Sequence, residues 1–209
     1  MHGGRTGDGG PVTDAPVLEA TRRHLTERQA EVVQQLVEAT AVEVEETGYA
    51  GLTVRNVARR AGVAPATAYN YFSSKDHLLA ELLWRRMVAL PPVVASSGGS
   101  LVERLNQTVQ MMVLLTTGSP VVVGACTTAL LNATPDVKHL RDRIGAAIHQ
   151  RFVSALGDGI DPTVVVVLEA TYSGALLIAG MGHMSYDEVP GFVAQAAALM
   201  IGDERAGAA

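Results

Sequence analysis

The sequence predicts an all-α chain in which a three-helix head is joined by a fourth helix to a larger C-terminal helical domain. Three observations carry that reading. Apolar residues recur at three- and four-residue steps through nine segments, and no stretch sustains the two-residue alternation of a half-buried strand. Gly118, Pro120, Pro135, Gly157, Gly159, Pro162 and Pro190 punctuate those segments. Hydrophobic residues make up 48% of the 209 positions and charged ones 18%, enough apolar material for a core and too little charge for wholesale disorder.

Residues 1–25, with Gly3, Gly4, Gly7, Gly9, Gly10, Pro11 and Pro16 and no sustained period, read as a flexible leader. It has no apolar run that would serve as a secretory signal. Thr26 is the expected cap of a first helix to Thr47, with Ala30, Val33, Val37, Thr40 or Ala41, and Val44 on its inner face and Gly48 as its stop. Thr53 then caps a short basic helix through Ala61. Gly62 ends it, and Pro65 opens a second short helix reaching Tyr71 or Phe72. Ser73 and Asp76 match a capping box ahead of the fourth helix, His77 to Leu90, which ends at Pro91-Pro92 and the loose stretch Ser96 to Gly99. Further helices are expected at Leu101–Thr117, Val121–Asn132, Asp136–Leu156, Thr163–Met184 and Val189–Glu204. The run Val164–Val167 continues without a break into Leu168 and beyond, too long for a strand, and stays helical.

The segment Thr163–Met184 is nearly uncharged and long enough to cross a membrane. Glu169 sits inside it, no Lys or Arg flanks it closely, and Thr171, Ser173, Gly174, Gly180 and Gly182 are small or polar. A helix buried on all sides within a bundle or dimer accounts for this composition, with no membrane involved.

Charge is segregated along the chain. Residues 27–50 carry six glutamates against Arg28, a net of −5, whereas residues 51–90 carry six Lys or Arg against Asp76 and Glu81, a net of +4. A basic element inside an acidic protein is the footprint of a small nucleic-acid reader, although a solvated charge run produces the same count. The whole-chain net charge of −5 argues against nonspecific coating of nucleic acid.

Catalytic chemistry has no candidate constellation. The single cysteine, Cys126, excludes an intrachain disulfide and a cysteine metal cluster, and fits a reducing cytoplasm. His2, His24, His77, His139, His149 and His183 form no pair at ligand spacing, so no metal site is expected. Ser173 and Ser185 lack a nucleophile elbow, and no glycine cluster follows a strand to cradle phosphate. Neither a cofactor nor an enzymatic activity is expected.

Residues 52–72 fit a helix-turn-helix on physical grounds. Val54, Val57, Ala58 and Ala61 line the inner face of the first short helix, Gly62 permits the sharp turn, and Val63 plugs the space between the two. Ala68 and Phe72 point inward from the second helix. Pro65, Ala66, Thr67, Tyr69 and Asn70 lie outward near its N-terminal part, the region that enters a major groove.

Here the chain resembles the TetR/AcrR family of bacterial transcriptional regulators. The residues that carry the resemblance are the start Thr53-Val54-Arg55, with Val57-Ala58, then Ala61-Gly62-Val63, Tyr69-Asn70-Tyr71-Phe72, and Ser74-Lys75-Asp76 with Leu78-Leu79. The motif covers roughly residues 30–80. The resemblance implies that Thr53 and Arg55 touch phosphates, that Pro65, Ala66, Tyr69 and Asn70 face bases, and that Tyr71 and Lys75 clamp the DNA backbone. Elementary chemistry agrees in part: a helix N-terminus with a Thr hydroxyl binds phosphate, and Asn pairs bidentately with adenine. Arg59 and Arg60 read as a solvated face. Three positions depart from the family pattern, Ala64 for a capping Ser, Ala66 for Gly and Ala68 for a bulky aliphatic, and the missing cap weakens the recognition helix by ~1 kcal/mol. They bear on the operator sequence.

The expected domains are thus a leader (1–25), a helix-turn-helix DNA-binding domain (26–73) and a helical ligand-binding and dimerisation domain (74–209). The resemblance implies a cytoplasmic repressor of double-stranded operator DNA, released by a small-molecule inducer. Met111, Met112, Leu115, Cys126, Leu130, Phe152, Tyr172 and Leu176 are the candidate lining of an inducer cavity, and the scarcity of charge in these helices points to a largely apolar ligand. Thr163–Met184 and Val189–Met200 are the expected homodimer surface, with Gly174, Ala175, Gly180 and Ala194–Ala198 permitting close approach. The alternative is a helical small-molecule-binding protein or enzyme that retains a DNA-binding-like head.

Overall fold

A computed structural model of the chain describes residues 27–91, 98–115 and 119–202. Among them are nine α-helices: α1 (Glu27–Gly51), α2 (Val54–Arg60), α3 (Pro65–Tyr71), α4 (Lys75–Ala89), α5 (Leu101–Gln110), α6 (Pro120–Leu130), α7 (Pro135–Leu156), α8 (Pro162–Gly180) and α9 (Val189–Ile201). One π-helical turn, Met111–Leu115, follows α5. The all-α expectation holds. The leader, the Thr26 cap, Ser96, Ser97, Gly118 and Glu204 lie outside the described residues, as does the Leu115 side chain.

α1 buries Val33, Leu36, Val37, Ala39, Thr40, Glu43 and Val44, while Ala30, expected inside, is exposed. Gly48 breaks the helix at φ 65°, a left-handed conformation that glycine adopts without a Cβ penalty. The buried Glu43 has a reason that periodicity does not reveal: Arg60 of α2 donates to it at 2.7 Å and also binds Glu46. Arg60, which is exposed as expected of a solvated face, thus also ties α2 to α1. A buried carboxylate left without such a partner is strongly destabilising.

Three other expectations are corrected. The cap of α4 is Ser74, whose hydroxyl accepts from the His77 N–H at 3.0 Å, because Ser73 is turned away to donate to Asp136 of α7 at 2.9 Å. Asp76 faces inward and completes no capping box. The true reciprocal box is Ser100 with Glu103, at the start of α5. The helix expected at Leu101–Thr117 passes into the π turn after Gln110, and the one expected to reach Met184 ends at Gly180.

Two apolar clusters form the core. The head cluster joins Leu36, Leu52, Val57, Phe72, Leu78 and Leu79 to Val122, Cys126 and Ala129 of α6. Burying each leucine contributes about 1.5–3 kcal/mol. The second cluster gathers α5, α7, α8 and α9 around Leu105, Phe152, Leu168, Tyr172 and Val193. α4 and α6 belong to both clusters, through Leu78 with Met87 and through Cys126 with Val123. They are the mechanical bridge between head and body.

α8 is long and apolar enough to cross a membrane by composition, with 28% of it buried in the protomer. It is not buried all round. Val165, Leu168, Tyr172, Ala175 and Ala179 form one inward stripe at three- and four-residue spacing, and Val166, Val167, Ile178 and Met181 are exposed. Ala175 is 1% exposed, and Ala194 and Ala197 are buried as well, where α9 packs on α5 and α8. These small residues serve contacts within the chain and not the expected contact between copies. The exposed apolar side chains on α9 are Phe192, Leu199 and Met200.

Candidate nucleic-acid interface and ligand cavity

α2 and α3 are short, and each is set by its ends. The Thr53 hydroxyl accepts from the Asn56 N–H at 3.1 Å, capping α2. Gly62, at φ 68°, turns the chain, and the Val63 N–H returns to the Ala58 carbonyl at 2.9 Å. α3 begins at Pro65 behind Ala64, which provides no side-chain cap, as the sequence indicates. Ala68 and Phe72 are buried and fix the helix to the head core.

With that face held, Thr53, Arg55, Pro65, Ala66, Tyr69 and Asn70 are exposed together on the outside of the α2–α3 unit, and Thr67 is half-buried. Tyr69 is 53% exposed, a large ring presented to solvent on this face. Arg59 donates to Asn56 Oδ1 at 3.1 Å along α2. The two expected backbone clamps differ from the others. Tyr71 is half-buried and packs on the head core. Lys75 is half-buried, donates to the Tyr49 carbonyl at 2.7 Å and stands 3.9 Å from the centre of the Tyr49 ring. Its first role is to join α4 to the end of α1, a cation–π contact that sequence reading misses because the partners lie 26 positions apart.

The Tyr49 hydroxyl in turn donates to Asp76 Oδ1 at 2.7 Å, and burial together with that carboxylate pushes the phenol up to about 12. Asn132, just past α6, donates to Asp76 Oδ2 at 2.8 Å. Asp76 is thus the junction of α1, α4 and the α6–α7 turn.

A cavity of about 270 Å³ lies among α4, α6, α7, α8 and the π turn. Of the eight candidates from sequence, Met112, Cys126, Leu130, Tyr172 and Leu176 line it. Met111 and Phe152 do not; Phe152 instead meets the Tyr172 ring edge-on with centroids 6.0 Å apart and supports the wall from behind. Sequence reading missed the contributions of α4 (Leu83, Met87) and of α7 (Arg141, Ile144, Gly145, Ile148). The spacing of Ile144 and Ile148 signals an inward face, but nothing in it separates a cavity wall from a solid core. Desolvation pushes the Cys126 thiol up to about 12, so the only cysteine is a cavity-wall thiol and no nucleophile. Among the described residues no group of three potential metal ligands is assembled.

Residues 36–82, which span the α2–α3 unit, match the family model described as bacterial regulatory proteins, tetR family. The chain is 43% identical over 176 residues to the uncharacterized HTH-type transcriptional regulator Rv0767c of Mycobacterium tuberculosis, covering 83% of this chain and 81% of that one. The chain belongs to the TetR family. It is 33% identical to the HTH-type transcriptional repressor KstR of Mycolicibacterium smegmatis over 66% of its length and 69% of the repressor's. The fold matches a TetR transcriptional regulator from Rhodococcus sp. RHA1 with a TM-score of 0.67 at 23% identity, over 84% of this chain and 98% of the other. A TetR-family chain is a DNA-binding transcriptional regulator, and the exposed α2–α3 face is where its helix-turn-helix stands.

Proposed function

We propose that this TetR-family chain is a cytoplasmic homodimeric repressor, released from its operator by a small, largely apolar molecule that enters the cavity between head and body. The observation that carries this reading is the double membership of α4. One stretch of that helix holds Leu78, Leu79 and Leu82 in the head core; Leu83 packs on the same core and also lines the cavity, and Met87, one turn later, lines it too. A ligand that displaces those two side chains shifts the helix on which the head is mounted. The repressor name of the KstR relative supports the direction of control.

In this reading Thr53 and Arg55 meet phosphates, Pro65, Ala66, Thr67, Tyr69 and Asn70 face base edges, and Tyr71 and Lys75 approach the backbone from the rim of the head. The exposed Val166, Val167 and Ile178 of α8 and Met181 just past its end, with Phe192 and Leu199 of α9, join two copies so that two recognition helices reach successive major grooves.

The test is a reporter fused to the chain's own upstream DNA. Deleting the gene raises reporter expression, wild-type protein restores repression, and a Tyr69→Ala, Asn70→Ala double variant of unchanged thermal stability does not. Unchanged expression on deletion, for every promoter-proximal fragment, would sink the repressor reading.

A further inference from the structure

Arg141 stands out in the cavity wall. Among the described lining residues it is the one Lys, Arg, Asp or Glu, and the others are apolar apart from Thr127, Tyr172, Ser173 and Cys126. Its Nη1 donates to the Leu130 carbonyl at 2.9 Å and the Asn132 carbonyl at 3.2 Å, so it caps the C-terminal end of α6. Both acceptors are neutral. Among the described residues no carboxylate lies within ion-pair distance of it; the adjacent Asp142 feels its charge but makes its direct ion pair with Lys138, at 2.5 Å. Two other arginines also cap helix ends, Arg104 on the Ala155 carbonyl and Arg151 on those of Met87 and Leu90, but neither lines the cavity. A guanidinium offers five N–H donors in a fork shaped for a carboxylate, and both capping bonds leave from one nitrogen.

We infer that the cavity takes an amphipathic acid, an apolar body with one carboxylate, whose oxygens are met by Arg141, and that the head senses this through the α6–α7 turn. The inference rests on the ligand-responsive reading above and adds the ligand's chemical class and its path to the head. The volume is about nine water volumes, room for a body on the order of ten non-hydrogen atoms. A carboxylate drawn to Arg141 competes with the Leu130 and Asn132 carbonyls for the same guanidinium. Asn132 is also the donor to Asp76, which the Tyr49 hydroxyl holds from the end of α1. Loosening the turn therefore acts on the junction that seats α4 against α1, next to His77, whose ring meets Phe72 at the end of the recognition helix.

The experiment uses the full chain and straight-chain carboxylates of roughly six to twelve carbons, each paired with the alcohol of equal length. Binding is read without DNA by calorimetry and by the fluorescence of Trp84, the sole tryptophan, which lies next to Leu83 on α4. The best acid binds at least about tenfold more tightly than its alcohol, the scale of a charge-assisted hydrogen bond. Arg141→Gln abolishes that difference and leaves the alcohol's affinity within about threefold. Asn132→Ala keeps the acid preference but blunts the acid-induced loss of affinity for upstream DNA. Equal affinity for acids and alcohols on wild-type protein, or no acid binding at all, overturns the assignment, and neither result depends on a variant that folds. Persistence of the preference in Arg141→Gln overturns it equally. Acid preference in a protein that binds no DNA would overturn the relay and the repressor reading while leaving the Arg141 site standing.

Discussion

At the residue scale the structure separates side chains that resemble one another in the sequence. Arg55 is exposed on the α2 face, whereas Lys75 is half-buried over Tyr49. Arg55→Ala is expected to flatten the salt dependence of DNA binding by about one unit with an unchanged melting temperature. Lys75→Ala is expected to lower the melting temperature as well, because it removes the bond to the Tyr49 carbonyl. Asn70→Ala should instead cost about 1–3 kcal/mol and relax preference at a single base pair, a pattern that binding to a library of single-base operator variants distinguishes from uniform weakening. Cys126 should resist iodoacetamide in the folded protein at about pH 8 and react once denaturant exposes it, since its thiol lies near 12.

His77 offers a pH test. Burial lowers it below its ordinary 6.5, against the opposing pull of Asp136 and Glu81, and its Nδ1 accepts from the Ser73 N–H at 3.4 Å. As pH falls through 6.5 the unfolded chain takes up a proton that the folded chain resists, so stability is lost below that pH and is unaffected above it. The melting temperature of His77→Gln should therefore fall less steeply than that of wild type between about pH 7 and about pH 5. Parallel curves would show that other groups dominate.

At the element scale, helix positions were legible because each rests on local signals: Pro65 opens α3, Pro120 opens α6, Pro162 opens α8, and Gly157 closes α7 at φ 77°. What stayed hidden depends on distant partners. Ser73 and Ser74 are equivalent as caps until Asp136, 63 positions away, claims the first. Ala175 and Gly180 read alike as small residues, yet one is buried inside the protomer and the other exposed. The test of the two-copy surface therefore moves outward. Leu199, 82% exposed, and Met181, 69% exposed, can each be changed to Glu without entering the core. Light scattering is expected to show dimers for wild type and monomers for the double variant, with the helical circular dichroism preserved. A wild-type monomer at micromolar concentration would remove this surface from the account.

At the scale of the whole molecule, the head was legible and the cavity only half so. The helix-turn-helix is built from neighbours in sequence, so Ala68, Phe72 and the outward Tyr69 and Asn70 follow from one period and one turn. The cavity is assembled from four helices and a π turn, and its α4 and α7 walls, Arg141 among them, carry no local mark that separates a cavity wall from a solid core. The two are joined by α4, α6 and the Asp76 junction, and this joining makes the molecule a candidate switch and not two independent modules. The measurement that bears most directly on that account is an anisotropy titration of the chain's own upstream DNA across a series of salt concentrations. Saturation is expected at two chains per site, with affinity that falls linearly on logarithmic axes at a slope of about −0.9 for each phosphate engaged. Absence of binding to every upstream fragment at low salt, or binding indifferent to salt, would contradict it.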